Sequence, residues 1–208
     1  MKFMGKAVSI ATLAVAAVTT ANAGYITTFT GGQTTTVAGA TVYDFEGGKP
    51  ANYSGDGSVV NVSVSGGTAA PAGDATYYYT VAYPKQNGVG TFTASAGQSY
   101  DYFGLYWGSM DDYNTLNFFS GGSLVGSIKG SDVIAQGVAL GNQTAPGSNR
   151  YVNFFFDTTF DRIDFATTNF AFESDNHAFA KTSVPEPATL GLFGIGLLGA
   201  GLARRRRK

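Results

Sequence analysis

Thr115 to Ile128 reads TLNFFSGGSLVGSI. Two short runs of aliphatic, aromatic and β-branched residues flank Ser120-Gly121-Gly122-Ser123. Such runs suit a pleated, half-buried surface, and paired glycines between them suit a tight reversal. The stretch therefore predicts a β-hairpin, with strands over 115–119 and 124–128 and a four-residue loop. The same grammar extends in both directions. Ser58 to Ser65 (SVVNVSVS) alternates, with Val60, Val62 and Val64 on one face. Further strands are expected at 77–82, 89–94, 100–106, 151–156, 162–167 and 170–173. About ten short strands separated by turn residues, with no internal repeat, predict an all-β fold: a single β-sandwich of jelly-roll type.

Composition agrees. The chain has 208 residues, 29 of them Gly, with 12 Tyr, 16 Phe and no Cys. Long stretches rich in Leu, Glu, Lys and Ala are missing. The lack of Cys excludes disulfides, thiolate nucleophiles and Cys-based zinc sites. Between the two ends, Lys49, Lys85, Lys129, Lys181, Arg150 and Arg162 stand against every acid of the chain except Glu186. That acidic balance repels phosphate backbones, so no nucleic-acid partner is expected.

The two ends read as processing segments. Residues 1–23 place Lys2 and Lys6 before an apolar stretch from Ala7 to Val18. Ala21-Asn22-Ala23 then forms an A-x-A cleavage signal, with the cut before Gly24. At the other end, Leu190 to Ala203 is uncharged. As a helix it would span about 21 Å, short of the ~30 Å hydrocarbon core but enough for a thinned membrane. Arg204, Arg205, Arg206, Arg207 and Lys208 would stay on the cytoplasmic side. The expected organisation is a signal peptide (1–23), a β-sandwich ectodomain (24–183) and a sorting tail with a short transmembrane helix (184–208). Gly194-Ile195-Gly196-Leu197-Leu198-Gly199 matches G-x-G-x-x-G, but it lies inside the apolar segment with no βαβ unit around it, so no dinucleotide site is expected.

Val184-Pro185-Glu186-Pro187, the short Gly/Leu-rich run and the terminal Arg cluster, in that order, resemble the PEP-CTERM sorting signal. The resemblance implies that an exosortase recognises Val184 to Pro187 and that the protein occupies the inner membrane of a Gram-negative bacterium only transiently, after passing the secretion translocon. Two proline rings with fixed φ keep such a motif extended, which suits entry into a processing cleft. Within the domain, the blocks YFGLYWGSMDDYNTL (102–116) and RYVNFFFDTTFDRIDFATTNFAFESDNHAF (150–179), with YDFEGG at 43–48, are similar to exosortase-dependent surface proteins with one β-sandwich ectodomain. That likeness implies a cell-surface or extracellular protein accompanying exopolysaccharide or biofilm.

Chemistry inside the domain is sparse. His177 is the only histidine and lies in Ser-Asp-Asn-His, a turn-like composition, so no residue is assigned a catalytic role. Asp111 and Asp112 are adjacent and would face opposite sides of a strand. The domain is therefore expected not to be an enzyme; a secreted glycan-acting hydrolase is the alternative, and a structural protein without a ligand a third. Two ligand sites are considered. A structural calcium ion needs six to eight hard oxygens. Asp44 and Glu46 near the start and Asp175 and Asn176 near the end would supply four if the terminal strands pair. Glycan contact would use exposed aromatics with an amide: Tyr106, Trp107, Tyr113 and Asn114, with Tyr77 to Tyr79 nearby. The competing reading of Trp107 is a core residue.

Overall fold

The computed structural model describes residues 24–134 and 141–182. Among them are twelve strands and one short helix: β1 (Tyr25–Thr30), β2 (Thr41–Tyr43), β3 (Tyr53–Gly55), β4 (Gly57–Val60), β5 (Tyr78–Val81), β6 (Gly88–Thr93), β7 (Tyr100–Gly108), β8 (Asn114–Ser120), β9 (Ser123–Lys129), α1 (Gly130–Val133), β10 (Arg150–Phe160), β11 (Arg162–Thr167) and β12 (Phe172–Ala180). The expected signal peptide, sorting motif, transmembrane segment and basic cluster lie outside the described residues.

The strands form two antiparallel sheets. One runs β1-β10-β7-β12-β5-β4, with β2 also paired to β12; the other runs β3-β6-β11-β8-β9. This is the expected all-β sandwich. In β11 the reason is visible residue by residue: Ile163, Phe165 and Thr167 are buried while Arg162, Asp164 and Ala166 are half-buried. A period of two puts one set of side chains inward and the other outward. β7 breaks the alternation, because every residue from Asp101 to Gly108 is buried. Phe103, Leu105 and Trp107 enter the main core. Tyr102 and Tyr106 point to the outer face, where Tyr151, Ala178, Val37 and Ala40 pack on them.

The core between the sheets is aromatic. Phe118 lies 4.5 Å from Phe156 and 5.2 Å from Phe160, and Phe92 stacks on Phe179 at 4.1 Å. Each such ring, fully buried, contributes roughly 1.5–3 kcal/mol by removal from water.

The hairpin of β8 and β9 is tighter than its sequence suggests. Ser120 pairs with Ser123, so the loop is Gly121-Gly122 alone, at φ 54° and 87°. Two consecutive positive φ values are the mark of a type I′ turn, which matches strand twist and which only glycine adopts cheaply. Two other expectations are corrected. The strand expected at 58–65 ends at Val60, and Val62 is 56% exposed, because the chain turns into the Val64–Thr68 bridge. The turn expected at Ser174 to His177 is instead the middle of β12, where these polar residues find buried partners.

Candidate functional site

The register of four neighbouring strands decides where the domain meets its two flanking segments. Tyr25 pairs with Phe156, Phe160 with Tyr100, and Ala180 with Tyr102. The start of β1 and the end of β12 therefore lie at one end of the sandwich. Three strand spacings of about 4.8 Å separate them, roughly 14 Å. Both are fastened. Gly24 donates its N–H to Asp157 Oδ2 at 2.9 Å and accepts from the Asp157 N–H at 3.1 Å. Thr182 donates its N–H and its hydroxyl to Asp101 Oδ1, at 2.5 and 2.9 Å. The described fold is thus fastened at Gly24 and at Thr182.

The four residues considered for glycan contact do not form an exposed platform. Trp107 is wholly buried and stacks on Phe172 at 4.9 Å, so its core reading holds. The Tyr106 hydroxyl donates to the Ala72 carbonyl at 2.6 Å under the loop that covers the outer face. Buried Asn114 donates Nδ2 to Ala171 O at 3.2 Å, and Tyr113 donates to Phe170 O at 2.6 Å. Tyr78 and Tyr79 are buried as well; Tyr77 alone of that run is exposed. An aromatic-rich stretch fills a sandwich core before it supplies a platform, and sequence spacing does not separate the two uses.

His177 sits at the centre of the core. Its ring stacks on Phe165 at 4.9 Å and meets Phe45 edge-on at 4.9 Å. Nδ1 bonds the Tyr53 hydroxyl at 2.9 Å and Nε2 bonds Ser174 Oγ at 2.8 Å. Burial pushes its pKa down to about 3. A serine beside a histidine resembles a nucleophile and its base, but both are fully buried and a phenol, not a carboxylate, occupies the orienting position. The group is a polar bridge through the core.

Of the four residues considered for calcium, only Asp44, Asp175 and Asn176 are neighbours. Tyr43 pairs with His177, which sets Asp44 beside Asn176 and Asp175. Glu46 is committed elsewhere, its Oε1 accepting the Tyr77 N–H at 2.9 Å; Asp44 Oδ1 accepts the Glu46 N–H at 3.2 Å, and Asn176 Nδ2 donates to Asp175 Oδ2 at 2.8 Å. Among the described residues no three His, Cys, Asp or Glu side chains converge as a metal-ligand group, so the expected quartet does not assemble. The terminal-strand pairing on which that expectation rested is present. Asn176 takes φ 51° at an irregularity in the β12–β7 ladder.

Sequence reading missed two acids that the fold places well. Asp74, in the loop before β5, lies within hydrogen-bond reach of Asp175, whose carboxyl is pushed up to about 8 by burial and by the charges of Asp74 and Asp44. Glu173 shares a cavity of about 160 Å³ with Asp111, Ser109 and Tyr113. It accepts the Ala69 N–H at 2.9 Å and the Ser109 hydroxyl at 3.1 Å. Burial pushes Glu173 up to about 7 and Asp111 up to about 6. Asp111 is buried while its neighbour Asp112 is exposed, so the partner of Asp111 comes from β12, about sixty residues away.

Comparison with known proteins bears on the tail. Residues 183–208 match the family model of the PEP-CTERM protein-sorting motif. The match begins at the residue after Thr182, the last one fastened to the sheet. A motif of this kind indicates exosortase-dependent sorting of an exported protein, with surface or extracellular location. No curated protein and no solved structure matches the chain.

Proposed function

We propose that the chain is a non-enzymatic surface or extracellular-matrix protein of a Gram-negative bacterium, associated with exopolysaccharide and released or attached once an exosortase has cut its tail. The signal peptide takes it through the secretion translocon, and the inner membrane holds it only until processing. The observation that carries this reading is the sorting motif at residues 183–208, joined to a sandwich whose last strand is tied down at Thr182. The burial of Trp107, Tyr106 and Asn114 moves any glycan contact away from those residues. It would lie on a polar, acidic surface, through hydroxyl and amide groups. The test is intact-mass spectrometry of the protein recovered from its host, beside a strain lacking the exosortase. A mass starting at Gly24 and ending between Ser183 and Pro187, absent from the deletion strain, supports the reading. Retention of Arg204 to Lys208 in both strains refutes it.

The Asp111–Glu173 cavity favours a second reading, a hydrolase acting on glycans. Two acids with raised proton affinity in one polar cavity are the raw material of acid–base catalysis. Turnover of host exopolysaccharide by the protein, lost on Glu173→Gln, would establish it in place of the first.

A further inference from the structure

Asp74 and Asp175 each keep an oxygen that no N–H or hydroxyl of the described residues reaches. Asp74 Oδ1 is occupied, accepting the Thr76 N–H at 2.8 Å and the Thr76 hydroxyl at 2.6 Å. Asp175 Oδ2 accepts the Asn176 amide at 2.8 Å. The remaining oxygens, Asp74 Oδ2 and Asp175 Oδ1, are both buried and have no N–H or O–H donor among the described residues. Asp175 is 2% exposed, and the two carboxyl groups lie within hydrogen-bond reach of each other. Two ionised carboxylates this close in a buried place repel each other unless a proton or a cation lies between them. A buried polar atom without a partner calls for an explanation, and an unplaced ion is one.

We infer that Asp74 and Asp175 are paired ligands of a hard divalent cation, calcium, which clamps the loop before β5 onto β12. Three features favour an oxygen-seeking cation. Both ligands are carboxylates, and the neighbouring Asn176 amide also offers an oxygen. The bulge at Asn176 re-aims β12 at this point, as bulges beside binding sites do. The ligand pair joins two elements that β-pairing does not connect, since Asp74 lies outside every strand. Water would complete the shell, which puts the affinity at the weak end for calcium, about 10⁻⁴–10⁻³ M as in extracellular modules. The site differs from the quartet read from sequence: it drops Glu46, which the Tyr77 N–H holds, and gains Asp74. It is independent of how the tail is processed.

The test is thermal unfolding of the protein recovered from its host, in chelator, in calcium chloride and in magnesium chloride. Calcium at about ten times its dissociation constant should raise the midpoint by about 3–6 °C over chelator. Magnesium, which demands a small regular octahedron, should raise it less. Asp74→Asn and Asp175→Asn keep the side-chain shape, and each should fold and lose the calcium response. A wild-type midpoint equal in calcium and chelator overturns the inference and leaves a proton shared between the two acids. A calcium response that persists in both variants also overturns it, by placing the ion elsewhere.

Discussion

Acidification isolates the cost of enclosing His177. In the unfolded chain its imidazole titrates near 6.5; in the fold, burial holds it neutral to about pH 3. Between those values the unfolded chain binds a proton that the native state refuses, so stability falls as pH falls. At pH 4.5 the unfolded imidazole is protonated about a hundredfold over neutral, which removes about 2.7 kcal/mol relative to pH 8. That is a large part of the 5–15 kcal/mol a domain usually has. Glu173 and Asp111 act in the opposite sense, since their raised pKa values make the fold lose stability as pH rises toward 6 and 7. Two measurements separate the effects. The chain has a single histidine, so its imidazole resonance in the native protein needs no assignment by mutation. It should not titrate down to pH 4. Urea unfolding of wild type and His177→Gln, compared at pH 8 and 4.5, should show wild type losing about 2.7 kcal/mol more than the variant, whatever the carboxyls contribute to both. A native titration midpoint near 6.5, or parallel stability curves, would refute the reasoning.

Other consequences are more local. Trp107 should emit at short wavelength and resist acrylamide quenching; Trp107→Ala should lose about 3–5 kcal/mol in urea unfolding, because the site facing Phe172 cannot collapse. Gly104→Ala should cost about 1–3 kcal/mol in the same assay, because its new Cβ would stand 2.7 Å from the Tyr151 hydroxyl and crowd that of Tyr102. Asp101→Ala removes both bonds that hold Thr182. Trypsin should then cut after Lys181 several times faster, with the unfolding midpoint changed by no more than a surface substitution allows.

The sandwich was legible because its strands announce themselves locally. Thr115 to Ile128 contains both halves of its hairpin and the glycines that turn it. The errors fell where a long-range partner overrides local composition. Ser174-Asp175-Asn176-His177 looks like a turn, yet Ser174 and His177 satisfy each other inside the core while Tyr53 closes the bridge from residues far earlier in the chain. Tyr106 and Trp107 look like a binding platform; a sheet covered on both faces needs aromatics on both, and nothing in spacing alone reveals the covering loops. The acid pairs were invisible for the same reason. Asp74 meets Asp175, and Asp111 meets Glu173, only because β12 is threaded between β5 and β7.

That central placing of β12 also connects the fold to its sorting. A C-terminal strand on the sheet edge could peel away under pull from a tethered tail without disturbing the core. β12 instead pairs with β7 on one side and with β5 and β2 on the other, and it carries Phe172, His177 and Phe179 into the core. Load applied at Thr182 must therefore break several ladders together, the arrangement in which opening one strand costs most of the global stability. At the other end, Gly24 leads into edge strand β1, which pairs only with β10. β1 can dock late without rebuilding the sandwich, whereas β12 must be in place before the domain exists. The fold thus tolerates late arrival at its N-terminus and resists traction at its C-terminus, next to which the sorting motif begins.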